Sequence, residues 1–378
     1  MSKLLHVENK TSGAKLKCLL IVFILSFGVV FYPSINAQSV THQIQEANTS
    51  LKQKNLAVAK VQYDLILSDS TLHQLSDSLR ARCLDAYVRC LSKSDSADRY
   101  EASVELHNFI DASSDLSPST IIDIYSNQIK AIVRATFNID QIPYLINKGE
   151  ALIESGAVNP EHQSRFYYTQ SRYYKNVKET FTSQYSVDSM VLSLANKSLM
   201  IIDSNHVDNP NLEYAIHNLL AGIFLKQNNF HSALDSRKRA LVAAKNSKGE
   251  VSSFLGAITG YSGAMIAWSL YDNEEASRLL QQSENLLKAN KDYSSNMYCL
   301  ILSFQAKVQA RLGNEAMALS IDSVVARYMS QSPESLSHSL IGISENRGRM
   351  FEFLGDIKSA LKASEHAYSL GQMLYDGH

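Results

Sequence analysis

Apolar positions in this chain recur every three or four residues over most of its length, most clearly in Tyr214–Lys245. Leu219, Leu220, Ile223 and Phe224 make one apolar stripe at helical spacing. Lys226-Gln227-Asn228-Asn229 interrupts it with turn-prone residues, and Phe230, Ala233, Leu234, Ala240 and Leu241 begin a second stripe. The pattern predicts two amphipathic helices joined by a tight turn. Ala221-Gly222, Ala233 and Ala240 stand where those helices must approach, and a bulky side chain there would overpack the contact by roughly 1–3 kcal/mol.

The unit repeats. The alanine of the second helix returns as Ala233, Ala276, Ala318 and Ala360, at steps of 43, 42 and 42 residues. Each follows a short turn: Asn228-Asn229, Asp272-Asn273, Gly313-Asn314 and Gly355-Asp356. Towards the N-terminus, Ser198-Leu199 and Ala151-Leu152 take the place of Ala240-Leu241, at steps of 42 and 47. Spacings of this size mark stacked helix pairs, about seven of them between residues 50 and 375. Ser117-Pro118, Asn159-Pro160, Asn209-Pro210 and Ser332-Pro333 each put a capping side chain before a proline suited to the first helical position. Further helices are expected over Ala57–Leu67, Thr71–Leu91 and Ser96–Ala112, and the polar residues 38–50 are expected to form a loose lead-in.

Composition narrows the choice of class. The 378 residues carry a formal net charge of −1, which leaves no basic excess for a nucleic-acid partner. Six prolines and 15 glycines are too few breakers for a β-sandwich. Residues 1–37 have the pattern of a signal peptide: Lys10, Lys15 and Lys17, the apolar run Cys18–Tyr32, then Pro33 and a small-residue cut site at Ala37. The run is short for a membrane span, so cleavage and export to the periplasm or outside the cell are expected. Membrane attachment would require an uncleaved segment. Cys83, Cys90 and Cys299 remain. The first two lie about 10 Å apart on one helix, beyond disulfide reach, and all three read as buried apolar residues.

In its order of small and aromatic residues the unit resembles the tetratricopeptide repeat family. Ala221, Phe224, Phe230, Ala233 and Ala240 carry the likeness, as do Gly348, Phe351, Gly355, Ala360 and Ala367. The copies between them keep Ala264, Ala276, Ala306 and Ala318 but have Asn273 and Glu315 in place of the turn aromatic. The resemblance implies an all-α solenoid, a right-handed superhelix whose concave face holds a peptide or protein segment. It divides the chain into 1–37, a divergent helical region 38–114, divergent repeats 115–205, and repeats of period near 42 over 206–378. Carried over by register, the concave positions are Asn218, Lys226, Tyr261, Trp268, Lys307, Arg311, Glu345 and Arg349. Trp268, the one tryptophan, reads equally as core.

A second candidate set comes from the residues themselves. Arg165–Lys175, RFYYTQSRYYK, gives a wide aromatic face, Phe166, Tyr167, Tyr168, Tyr173 and Tyr174, edged by Arg165, Arg172 and Lys175. It reads as inter-repeat core, or as a groove that stacks on a ligand and pairs with an acid. Catalytic patterns do not assemble. Gly260-Tyr261-Ser262-Gly263 lacks the spacing of a nucleophile elbow, and with Gly256 and Ala264 it reads as a helix-packing stripe. The histidines are scattered singly, so no metal or cofactor is expected. Three functional classes follow: an exported peptide- or protein-binding scaffold, the sensor ectodomain of a membrane-tethered regulator, and an α/α-barrel enzyme. The enzyme would need two convergent acids that the sequence does not display. The last helix leaves Ala363, Ala367, Leu370 and Met373 for a missing end cap or a partner.

Overall fold

The computed structural model describes residues 37–68, 75–91, 96–135, 139–177, 184–247, 251–289, 291, 296–331 and 338–376. Residues 1–36 of the expected signal peptide and the Ser332-Pro333 helix start lie outside them. The described residues form sixteen α-helices and one 3-10 turn, with no strand. The chain divides into two compact units, 1–139 and 140–378.

The first unit holds α1 (Ala37–Lys52), α2 (Leu56–Ser68), α3 (Asp77–Cys90), α4 (Ser96–Ala112) and α5 (Pro118–Ala135). Its core joins Val40, Ile44 and Ala47 of α1 to Tyr63 and Ile66 of α2 and Cys83 and Ala86 of α3. The loose lead-in expected at 38–50 is therefore a helix. Its apolar residues are few, but Val40, Ile44 and Ala47 share one buried stripe.

The 3-10 turn Ile139–Gln141 spans the division, and α6 (Ile142–Glu154) is the first helix of the second unit. Five hairpins follow: α7 (Pro160–Val177) with α8 (Gln184–Ser204), and α9 (Pro210–Lys226) with α10 (Phe230–Asn246). Next come α11 (Ser253–Ser269) with α12 (Asn273–Ala289), and α13 (Asn296–Arg311) with α14 (Glu315–Gln331). The last pairs α15 (His338–Phe353) with α16 (Ile357–Asp376). One core runs unbroken from Ala233 of α10 to Leu370 of α16.

The repeat is written most clearly in the turns. The first helix of four successive hairpins ends on a left-handed residue: Asn228 (φ 57°), Tyr271 (φ 62°), Gly313 (φ 81°) and Gly355 (φ 76°). In each, the next amide reaches back five residues, as from Asp272 N to the Ala267 carbonyl at 2.9 Å, satisfying carbonyls the helix end leaves open. In each, the repeat alanine then donates to the carbonyl four residues back, as from Ala276 N to Asp272 O at 3.0 Å. Ala233, Ala276 and Ala318 are fully buried, whereas Ala360 is partly exposed because no hairpin among the described residues follows it. Lys54 (φ 62°), Asn55 and Ala59 build the same turn between α1 and α2, so the unit is already present at the start of the described chain. The proline starts hold as well. Ser117 Oγ, Asn159 Oδ1 and Asn209 Oδ1 accept from Thr120 N, Glu161 N and Leu212 N at 3.2, 2.9 and 3.0 Å.

Small residues set the helix spacing. A Cβ added to Gly260 of α11 would run into Ser283 Oγ of α12 and sit 3.3 Å from the Leu279 carbonyl. The three cysteines among the described residues are buried and free, and burial lifts Cys83 and Cys90 to about 11 and Cys299 to about 12, which keeps the thiols protonated. The apolar face expected to stay open on the last helix is in part closed already. Ala367 and Leu370 are buried, Leu370 in the long core, and what remains open is Ile357, Leu361, Tyr368 and Met373.

Gly260→Ala is expected to destabilise the second unit by about 1–3 kcal/mol, seen as a lower urea midpoint. Gly371 has nothing within 4 Å of an added Cβ. Gly371→Ala is therefore expected to be neutral, or stabilising by up to about 1 kcal/mol.

Candidate functional site

Three first-position helices of the second unit converge on one cluster. Tyr261 and Trp268 stand two turns apart on α11, Phe304, Lys307 and Arg311 share a face of α13, and Phe353 ends α15. The Trp268 ring meets Phe304 edge-on at 5.8 Å and Phe353 at 6.0 Å, and Tyr261 meets Phe304 at 5.7 Å. Two cations lie against these rings. The Arg311 guanidinium is 4.4 Å from the Trp268 centroid and 5.1 Å from that of Tyr271, while Lys307 Nζ is 4.8 Å from Trp268 and 4.1 Å from Phe304. Each such contact contributes about 0.5–2 kcal/mol, more as water is excluded.

A buried amide fixes the lysine. Lys307 Nζ donates to Asn346 Oδ1 at 2.8 Å, and Asn346 Nδ2 donates to Ser303 Oγ at 3.1 Å. Burial, and then the positive charge of Arg349, bring Lys307 down to about 8, although Glu345 pulls the other way. Burial pushes the Tyr261 hydroxyl up. Glu345 and Arg349 are exposed on α15, where Arg349 is paired with Glu352 at 2.7 Å. Lys307, Glu345, Asn346 and Arg349 also line a groove of about 1350 Å³ between α15 and α16, whose far wall carries Leu361 and Tyr368. That volume exceeds the usual range for a small ligand, about 300–1000 Å³, and suits a peptide segment.

Six of the eight register-derived residues are thus neighbours: Tyr261, Trp268, Lys307, Arg311, Glu345 and Arg349. The other two lie apart. Asn218 accepts from Arg237 and, at 3.3 Å, from Thr259, so it ties α9 to α10 and α11. Lys226 is exposed in the last turn of α9. The aromatics of α7 serve the core, while Arg172 is exposed. Phe166, Tyr167 and Tyr173 are buried, and Phe166 lies against Gly149, where a Cβ would strike its ring. Tyr168 packs against the core of α8 and α9 and hydrogen-bonds Arg172, while Arg165 is held by Glu161 at 2.7 Å.

Four members of the cluster, Phe304, Phe353, Asn346 and Tyr271, were not among the residues the sequence singled out, and the two phenylalanines read there as ordinary core. Asn346 gives no signal, because an amide inside a helix reads as surface. Tyr271 was within reach: it holds the left-handed turn position of Asn228, Gly313 and Gly355, one period apart. A tyrosine there is strained by about 1–2 kcal/mol, and its ring, 76% exposed, faces the Arg311 guanidinium. Among the described residues no cluster of His, Cys, Asp or Glu could hold a metal, and no helix is long and apolar enough to cross a membrane.

No protein-family model and no curated protein sequence matches this chain. Its fold is similar to the apo form of RapI, with 13% identity and a TM-score of 0.53 over 89% of this chain and 99% of that one. It is also similar to a signal transduction ATPase with numerous domains, a protein with a tetratricopeptide repeat sensor from Pyrococcus horikoshii, with 16% identity and a TM-score of 0.50. That match covers 90% of this chain and 54% of the ATPase, so this chain spans about half its length. The fold is a tetratricopeptide-like α-solenoid.

Because the folded value of Lys307 lies below the ordinary 10.5, the unfolded chain binds the extra proton between these values. The desolvation penalty is therefore fully present below about pH 8 and is relieved as pH rises towards 10.5. Wild type is expected to gain up to roughly 1–3 kcal/mol on Lys307→Met between pH 7.5 and 10, read by urea unfolding at each pH.

Proposed function

We propose that this protein recognises a peptide or protein segment carrying an acidic residue next to an aromatic or branched apolar one. The observation that carries this reading is the Lys307–Arg311 pair held against Trp268, Phe304 and Tyr271 beside an open groove. A carboxylate entering there meets two guanidinium or ammonium groups in partly dehydrated surroundings, where charge-assisted hydrogen bonds are strong. The neighbouring apolar side chain finds ring faces and the Leu361–Tyr368 wall. Binding rather than catalysis is supported by how the two most buried acids among the described residues are used. Asp322 is clamped by Arg347 at 2.6 and 2.9 Å, and Asp85 is held by the amides of Asn127 and Gln128. The solenoid fold shared with RapI and the sensor-bearing ATPase agrees with a recognition role. The lysine-flanked apolar run before Ala37 supports action outside the cytoplasm. Amino-terminal sequencing of the mature protein, expected to begin at Gln38, tests that part.

The binding reading is tested with a peptide library and fluorescence anisotropy. Enrichment of Asp or Glu beside Phe, Tyr, Trp or Leu is expected, with Arg311→Ala and Trp268→Ala each weakening the best peptide at least tenfold, about 1.4 kcal/mol. Tyr271→Gly is expected to leave stability unchanged or raise it by up to about 1 kcal/mol while still weakening the peptide. Unaltered affinity in all three variants, with folding intact, would refute the site.

A further inference from the structure

Lys307 has the surroundings that turn a lysine into a nucleophile. It is half-buried on α13, with Nζ 4.1 Å from the Phe304 ring centroid and 4.8 Å from that of Trp268, and it lines the groove between α15 and α16. Its one hydrogen bond among the described residues goes to Asn346 Oδ1 at 2.8 Å, and it forms no ion pair there. One turn further along α13, the Arg311 guanidinium lies against Trp268 and Tyr271 and makes no hydrogen bond or ion pair among the described residues. Arg349 lines the same groove, its charge already paired with Glu352. Burial first, then Arg349 and Arg311, bring the amine down to about 8 against the pull of Glu345. About half of the amines are therefore unprotonated at that pH. Desolvation and a neighbouring cation are the two conditions that activate a lysine nitrogen.

The same surroundings select the electrophile. An adduct that kept the nitrogen positive, such as the protonated imine of an aldehyde, would leave two cations against the Trp268 ring. An adduct that makes it negative gives Arg311 the anion it lacks. Carbon dioxide does this, and it is small and apolar enough to reach an amine walled by aromatic rings. We propose that Lys307 is a carbamate site: its unprotonated amine attacks the carbon of dissolved carbon dioxide, an N–C bond forms, one C=O π pair moves onto oxygen, and the nitrogen releases a proton to solvent, leaving –NH–COO⁻. The remaining N–H still serves Asn346 Oδ1, and the new carboxylate accepts from Arg311 in a charge-assisted bond. The adduct puts an anion where the peptide site offers an acidic side chain a cation, so carbon dioxide switches that site off. This switch rests on the peptide-binding reading, whereas the adduct does not.

The test uses the full chain after export processing, at about pH 8, in isotopically labelled bicarbonate. Carbamates are fixed by ethylation with a trialkyloxonium salt and located by peptide mass. The free α-amino terminus, which also takes up carbon dioxide, is the positive control. Label is expected at Lys307 and not at the exposed Lys362. Lys307→Arg should remove it, and Arg311→Gln, in a chain shown by circular dichroism to be folded, should lower its occupancy at least about fivefold. In anisotropy, replacing chloride by bicarbonate at matched ionic strength should weaken the best acidic peptide at least about threefold for the wild type and have no effect on Lys307→Arg. An unlabelled Lys307 in a folded chain with a labelled terminus would overturn the proposal, as would equal label on Lys362 or an occupancy indifferent to Arg311→Gln. A labelled Lys307 with unaltered peptide affinity would overturn the switch alone. If no peptide binds at all, the peptide reading falls and the switch with it, while the labelling still decides the adduct.

Discussion

Two helices approach closely only where neither carries a bulky side chain, and this constraint organises the whole molecule. A single hairpin cannot bury both of its faces. It has to lend one face to the next hairpin, and that works only if the spacing is the same each time. Gly256, Gly260 and Gly263 of α11 against α12, and Gly348 against Ser364, hold the distance. The left-handed turn then returns the chain at a fixed angle, and the repeat alanine starts the second helix from the same hydrogen bond each time. The period near 42 residues follows from these contacts.

How much of this could be read from the sequence depended on which residue occupies each constrained place. Alanine at a close contact and glycine in a left-handed turn are conspicuous, so the four C-terminal hairpins were legible, as were the capped proline starts. The Lys54 turn was not, because lysine carries no turn signal and the backbone bonds of Asn55 and Ala59 act without side chains. The α1 helix was hidden for a related reason. Its exposed face is polar enough to read as a loop, while a buried stripe of Val40, Ile44 and Ala47 is sufficient to dock it.

The candidate site was legible in part, and the division has a physical basis. Register identifies which positions of a repeat line one face, and Tyr261, Trp268, Lys307, Arg311, Glu345 and Arg349 do cluster there. Register does not show where a neighbouring side chain claims such a position for packing. Asn218 is drawn into a bridge with Arg237 and Thr259. The aromatic run on α7 shows the same ambiguity from the other side. Phe166 and Tyr173 have the spacing of a ligand shelf, but glycine at 149 leaves room for a ring, and the ring fills it. The bond from Asn127 to Asp85 gave no signal because the two residues, 42 positions apart, meet only once α3 packs on α5.

What separates the cluster on α11, α13 and α15 from ordinary core is that it runs against local stability. A lysine is held where burial takes it down to about 8, and a tyrosine occupies a turn that glycine would fill without strain. The turn itself does not require the tyrosine. The equivalent turns at Gly313 and Gly355 close with the same backbone bonds, and the long core continues past Lys307 through Val308. Features that lower stability without serving the fold concentrate where a protein meets a ligand, because the ligand supplies the compensation. An incoming carboxylate would repair the Lys307 desolvation, and an apolar group would cover the Tyr271 and Trp268 rings. Strain and burial fall on the same few residues that the repeat register brings together, and that coincidence is the physical reason for proposing recognition there.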